Sequence, residues 1–195
     1  VLKKPISTEG DDVYVLKDRG GIGAVTSRLD ELGGRLIAQP FIESKVTDQL
    51  EPAIMAKIGR EQSLGMRNDF RIMTVKDQQG HVDITGVFMR IAQHPEQEVN
   101  NVAKGARAVR IEFSDLHPAD QQTVRAAVDA LPDGHVVGWD LIGAPGERYI
   151  MEANSGPGLP TMSEGFDPAS LVGPYARLAE TGGAAARAAR LLKLT

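Results

Sequence analysis

Residues 138–159 read Gly138-Trp139-Asp140-Leu141-Ile142, Gly143-Ala144-Pro145-Gly146-Glu147-Arg148, and then Tyr149-Ile150-Met151-Glu152-Ala153-Asn154-Ser155-Gly156-Pro157-Gly158-Leu159. The pattern predicts two short buried strands, over 136–142 and 148–153, joined by the glycine- and proline-bearing turn 143–147. Side chains alternate along a strand, so Glu152 and Asn154 share the face opposite Ala153, and the hairpin sets Asp140 beside them. Two carboxylates and an amide oxygen on one face are the ligand set of a hard cation such as the Mg²⁺ that bridges phosphates. These residues alone leave a second reading open, in which Asp140 and Glu152 are solvated side chains at strand ends.

The chain has 195 residues, enough for one sizeable core or two small lobes. Its composition is ordinary, 42% hydrophobic and 25% charged, with a formal net charge of −4. A mildly acidic chain has no electrostatic footprint for nucleic acid or an acidic membrane surface, so neither is expected as a partner. Without cysteine, disulfides, thiolate metal sites and thiol nucleophiles are excluded, and a cytoplasmic setting fits. No apolar run is long enough to span a bilayer, and no signal peptide is read. The sequence opens at Val1 inside a strand-like run without an initiator methionine, so an upstream part is expected.

Working outward from the hairpin, residues 119–131 read as a helix with Val124, Val128 and Leu131 facing in, stopped by Pro132-Asp133-Gly134. Residues 69–75 and 82–91 form the clearest hairpin, across Lys76-Asp77-Gln78-Gln79-Gly80-His81. Residues 93–107 read as a polar loop. In 44–66, Leu50, Ile54, Ile58 and Gln62 have helical spacing, which suggests a short amphipathic helix or a mobile insertion. Residues 36–42 read as a buried strand interrupted by Pro40. Nearer the start, 1–5 and 13–16 make a hairpin with the polar tip Ser7-Thr8-Glu9-Gly10-Asp11-Asp12, and a helix over 22–32 ends at Gly33-Gly34. A second helical region runs from about 168 to 194, split by Gly182-Gly183.

Several polar groups have patterns that could carry chemistry. Lys3-Lys4-Pro5 places an ammonium at the base of the first hairpin, where it could meet a phosphate or serve as a surface charge. Gln39-Pro40-Phe41-Ile42-Glu43 offers strand backbone beside apolar side chains, suited to an adenine edge or simply to the core. Arg67, Asp69, Arg71 and Arg90 gather on one hairpin; arginine forks suit phosphate and acyl-phosphate oxygens, although a cross-strand salt bridge is the other reading. There is no Walker P-loop and no G-x-G-x-x-G. His81, His94, His117 and His135 pair with no serine or carboxylate at a catalytic spacing and read as surface residues, while Trp139 reads as core.

In this order the pieces resemble the ATP-grasp superfamily, nearest its glutathione synthetase and ribosomal-protein glutamate ligase branch. Lys4-Pro5 is similar to that family's strand lysine on ATP phosphate, and Gln39-Pro40-Phe41-Ile42 to the hinge that reads adenine, with Glu43 in place of its ribose-binding acid. Asp69-Phe70-Arg71 resembles the Asp-x-Arg of the next strand, Arg90 the arginine closing the following one, and Asn101 with Gly105 the loop beyond. Asp140, with Glu152-Ala153-Asn154-Ser155-Gly156-Pro157-Gly158, is similar to the Asp…Glu-x-Asn metal triad and its small-residue loop. The hairpin tip, with Asp11 and Asp12, is more acidic than the family's phosphate-covering loop.

The resemblance implies an α+β, ATP-grasp fold of two lobes with antiparallel sheets clasping ATP. Residues 1–43 would belong to the first lobe, 44–68 to an insertion or linker, 69–165 to the second lobe with the metal site, and 166–195 to a C-terminal helical segment. It implies an ATP-dependent carboxylate–amine ligase acting through an acyl-phosphate on an amino acid or peptide, with Mg²⁺ or Mn²⁺ as the metal. Arg71 and Arg90 would be catalytic. Lys4, Gln39, Pro40, Phe41, Ile42, Glu43, Asp69 and Asn101 would bind the nucleotide, and Asp140, Glu152 and Asn154 the metal. A nucleotide-binding domain without turnover, or an enzyme using another acceptor, is the alternative, and homodimer formation is left open.

Overall fold

The computed structural model describes residues 2–3, 13–14, 37–97, 100, 102, 105–155 and 157. Three short strands, β1 (Leu2–Lys3), β2 (Val13–Tyr14) and β3 (Ile37–Ala38), pair antiparallel in the order β2-β1-β3. Two helices follow, α1 (Pro52–Ile58) and α2 (Arg60–Ser63). Then come strands β4 (Asn68–Lys76), β5 (Val82–Ile91) and β6 (Arg107–Ile111), helix α3 (Pro118–Asp129), and strands β7 (His135–Ile142) and β8 (Tyr149–Asn154). The last five strands form one antiparallel sheet in the order β6-β5-β4-β7-β8, so the chain is α+β.

Alternation gives that sheet two unlike faces. One carries Phe70 and Ile72 of β4 with Val87, Met89 and Ile91 of β5, Val109 and Ile111 of β6, and Trp139 and Leu141 of β7, all in a single apolar core. Helix α3 contributes Val124 and Val128 to it, and α1 contributes Ile54 and Ile58. Trp139 satisfies its one donor inside the core, with Nε1 donating to Thr74 Oγ1 at 2.8 Å. The opposite face is charged and holds the candidate site.

The β4–β5 hairpin forms where the sequence places it. Asp77 Oδ1 closes its turn, accepting from the backbone of Gln79 at 2.9 Å and of His81 at 2.8 Å. Lys76, buried, donates to the carbonyl of Leu131 at 2.7 Å and so sets a cation at the C-terminal end of α3. All four histidines are exposed, and His117 starts α3, its Nδ1 accepting from Ala119 N at 3.3 Å.

Of the two readings of 44–66 the short amphipathic helix forms, as α1 with α2 after it, and Val46, Leu50, Ile54 and Ile58 are core residues; the i+4 series ends because Gly59 turns the chain at φ +76°, leaving Gln62 exposed. Three expectations need correction. Residues 37–42 are not a buried strand: β3 has two residues and among the described residues pairs only with β1, and Phe41 is 42% exposed. Pro40, with no backbone donor, cannot extend the ladder. Strand β6 begins within what reads as a loop. Strand β8 has alternating exposure rather than being buried, and among the described residues it is an edge strand paired with β7. The helices expected over 22–32 and 168–194 lie outside the described residues. Among the described residues no helix is long and apolar enough to cross a membrane.

The turn between β7 and β8 is fixed by charge. Arg148, whose side chain is 0% exposed, donates from Nη1 to Glu51 Oε1 at 2.6 Å and to Asp120 Oδ2 at 2.7 Å, and from Nη2 to Glu51 Oε2 at 2.9 Å. Asp120 also accepts from the backbone of Gly146 at 3.0 Å and of Arg148 at 3.2 Å. The guanidinium stacks over Phe70, 4.3 Å from the ring centroid. Burial works against the Glu51 charge, but the Arg148 hydrogen bonds outweigh it and hold that carboxyl below its ordinary value. Arg148→Met leaves Asp120 buried without its cation, so it should lower unfolding stability by roughly 3–5 kcal/mol in urea at neutral pH. A loss under about 1 kcal/mol would show that the turn does not depend on this cluster.

Candidate functional site

The charged face is built by register. Strand β4 sets Asp69 opposite Arg90 of β5, and Arg71 opposite Asp140 of β7. Strand β8 then sets Glu152 opposite Asp140, and Asn154 opposite Gly138. The β7–β8 ladder shifts between Asp140 and Leu141, so that Met151 is the extra residue of a bulge beside Glu152. Such a bulge turns the edge strand locally and re-aims the side chains next to it.

Four of these side chains make direct contact. Arg71 grips Asp140 with both arms of its fork, Nε to Oδ1 and Nη2 to Oδ2, the latter at 2.9 Å. Arg90 donates from Nε to Asp69 Oδ1 at 2.5 Å and reaches Asp140 Oδ2 with Nη2 at 3.2 Å. Both carboxylates are buried. Burial pushes the Asp69 carboxyl up to about 6; Arg90 opposes this while the Asp140 charge adds to it. For Arg90, burial disfavours the charge, but the Asp69 and Asp140 carboxylates more than offset it and hold the guanidinium protonated.

Gly138 makes room for this packing. A Cβ there would stand 2.7 Å from Cβ of Pro157 and 3.1 Å from Cδ of Arg71. Pro157, which is buried, therefore lies against the site face.

The expected residues fall into three groups. Asp69, Arg71, Arg90 and Asp140 come together by contact, and Glu152 and Asn154, both half-buried, join them through the register. The segment Gln39, Pro40, Phe41, Ile42, Glu43 meets the row through Arg67: the Phe41 ring centroid lies 5.3 Å from the guanidinium carbon, and Glu43 Oε1 lies 3.7 Å from Nη2. Lys4 and Asn101 lie outside the described residues. Two groups escaped the sequence reading. Arg110, opposite Phe88, stands on the same face, and the Arg148 cluster beneath the turn is formed by residues far apart in sequence.

The donor set suits a hard divalent cation. Asp140 and Glu152 are direct cross-strand neighbours, close enough for two carboxylates to share one ion, and Asn154 adds an amide oxygen. Among the described residues no group of three or more histidine and acidic side chains gathers to hold a metal. Asn154 and solvent would therefore complete the sphere. Asp140 now spends its oxygens on Arg71 and Arg90, so binding a cation there requires a shift in those contacts.

The raised carboxyl of Asp69 has a definite sign. Its folded value of about 6 lies above the ordinary 3.8, so ionising it costs stability as the pH rises between the two. Asp69→Asn should therefore gain roughly 1–3 kcal/mol relative to wild type between pH 4 and pH 7, read by urea unfolding at both values. Parallel pH dependence in the two proteins would contradict it. No family model matches the sequence, and no curated protein matches it either.

Proposed function

We propose that the chain is an ATP- and Mg²⁺-dependent carboxylate–amine ligase of ATP-grasp type, joining an amino acid or peptide through an acyl-phosphate. One observation carries this reading: Asp69, Arg71, Arg90 and Asp140 interlock on one face of an antiparallel sheet, with Glu152 and Asn154 in register beside them. Two arginine forks next to a hard-oxygen set is what phosphoryl transfer to a carboxylate needs, since that chemistry depends on positioning and charge neutralisation.

The neighbouring carboxylates of Asp140 and Glu152 would give a divalent cation arriving with the triphosphate two hard-oxygen ligands. In this reading Asp140, Glu152 and Asn154 hold the ion, and Mn²⁺ can replace Mg²⁺. When bound, the ion would neutralise phosphate oxygens as a Lewis acid.

Arg71 and Arg90 turn from the carboxylates to the transferring phosphoryl group and the acyl-phosphate. Their planar forks give bidentate contact. Asp69 aims Arg90. The backbone of Gln39, Pro40, Phe41 and Ile42 would face adenine and Glu43 the ribose, with Lys4 on phosphate and Asn101 in the loop beyond Arg90. An amine, supplied by an amino acid or peptide, displaces phosphate.

A second reading, a nucleotide-binding domain without turnover, is favoured by one fact: both guanidiniums are already committed to buried carboxylates. A screen of amino acids and dipeptides for phosphate release from ATP, with Mg²⁺ present, separates the two. Acceptor-dependent release is expected, with a fall of at least 100-fold in Glu152→Ala and Arg71→Met and unchanged circular dichroism. Tight Mg·ATP binding without release for any acceptor supports the second reading. Turnover unaffected by Glu152→Ala removes that residue from the metal site.

A further inference from the structure

Arg67, like Arg110, is a charged residue of this face that the ligase reading leaves without a role. It precedes β4 by one residue, so alternation puts it in line with Asp69 and Arg71. Its backbone is held on both sides, by an antiparallel bridge to Lys45 and by its carbonyl accepting from Ala92 N at 2.9 Å. Its side chain is 15% exposed, with the half-open ring of Phe41 over the guanidinium.

The polar atoms of Arg67 are poorly provided for. Nε and Nη1 are buried and have no hydrogen-bond partner among the described residues. Nη2 has Glu43 at 3.7 Å, beyond hydrogen-bonding range, and that carboxylate is half-exposed and also pairs with Lys45 Nζ at 3.0 Å. Buried donors of a permanently charged group are almost always paired, because leaving them bare forfeits their hydration. The mismatch lies on a rigid strand, beside an exposed aromatic ring and at the end of a row of ligand-type residues. It is not a fraying surface arginine.

We propose that Arg67 anchors an oxyanion of the ligand, a phosphate or carboxylate group, whose neighbouring planar or apolar part lies on Phe41. Nε and Nη1 belong to different edges of the fork, so the ligand supplies two acceptor atoms. This depends on the nucleotide reading only for the ligand's identity. A phosphate would belong to the nucleotide and a carboxylate to the acyl substrate.

The test uses the full chain and the variants Arg67→Met and Arg67→Lys, titrated calorimetrically with ATP plus Mg²⁺, adenosine, inorganic phosphate and succinate. If the oxyanion is a phosphate, Arg67→Met should weaken ATP binding by about 10- to 100-fold and leave adenosine unchanged, and Arg67→Lys should recover part of the loss. If it is a carboxylate, the same loss should fall on succinate and spare ATP. Because Nε and Nη1 have no hydrogen-bond partner among the described residues, Arg67→Met should keep or raise the melting temperature; a purely structural arginine would lower it. Equal binding of every probe by wild type and Arg67→Met overturns the proposal while sparing the nucleotide reading. Arg67-dependent binding of phosphate or succinate without ATP binding upholds it and rejects that reading. A wild type that binds none of the probes overturns both.

Discussion

A guanidinium removed entirely from solvent sets the geometry of this protein. Arg148 sits between Glu51, ahead of α1, and Asp120, in the first turn of α3, and Asp120 also receives the backbone of Gly146 and Arg148. A buried ion of this kind is stable only with its partners in place, so the turn between β7 and β8 has one position relative to both helices. The consequence for function is register. A slip of one residue would send Glu152 and Asn154 to the apolar face and bring Met151 or Ala153 out against Asp140. With the turn fixed, Glu152 faces Asp140.

The sheet thus serves two purposes with one set of strands. Phe70, Ile72, Met89, Trp139 and Leu141 hold the core. Between them in sequence, Asp69, Arg71, Arg90 and Asp140 hold each other on the far side. Central strand β4 is buried along nearly its whole length, so its charged residues must be paired or engaged by a ligand. Their pairing keeps the face assembled, and in the proposed reading the same groups would change partners when phosphate and cation arrive together. Asp69, pushed up to about 6, shows how close to its limit that burial lies.

Much of this was legible in the sequence, and the rest was hidden for physical reasons. The β4–β5 hairpin, α3, and the pairing of Asp140 with Glu152, with Asn154 further along the same face, follow from alternation and short turns, which are local. Strand β6, Arg-Ala-Val-Arg-Ile, is too short and too charged to stand out after a polar stretch. Phe41 reads as core because it is aromatic and flanked by apolar residues, yet Pro40 ends the pairing that would have buried it. The partners of Arg148 lie 28 and 97 residues away, beyond any pattern in one sequence. Arg67 could be seen as a charged residue in line with Asp69, but its unpaired donors exist only in the fold.

In the proposed reading the charged face clamps a nucleotide together with a divalent cation. The most direct measurement is the affinity of the full chain for ATP by calorimetry, with Mg²⁺ present and with it chelated. Saturable binding that tightens at least tenfold with Mg²⁺ is expected, with loss of that increment in Asp140→Asn. Absence of binding, or binding indifferent to Mg²⁺ and to Asp140, would contradict it.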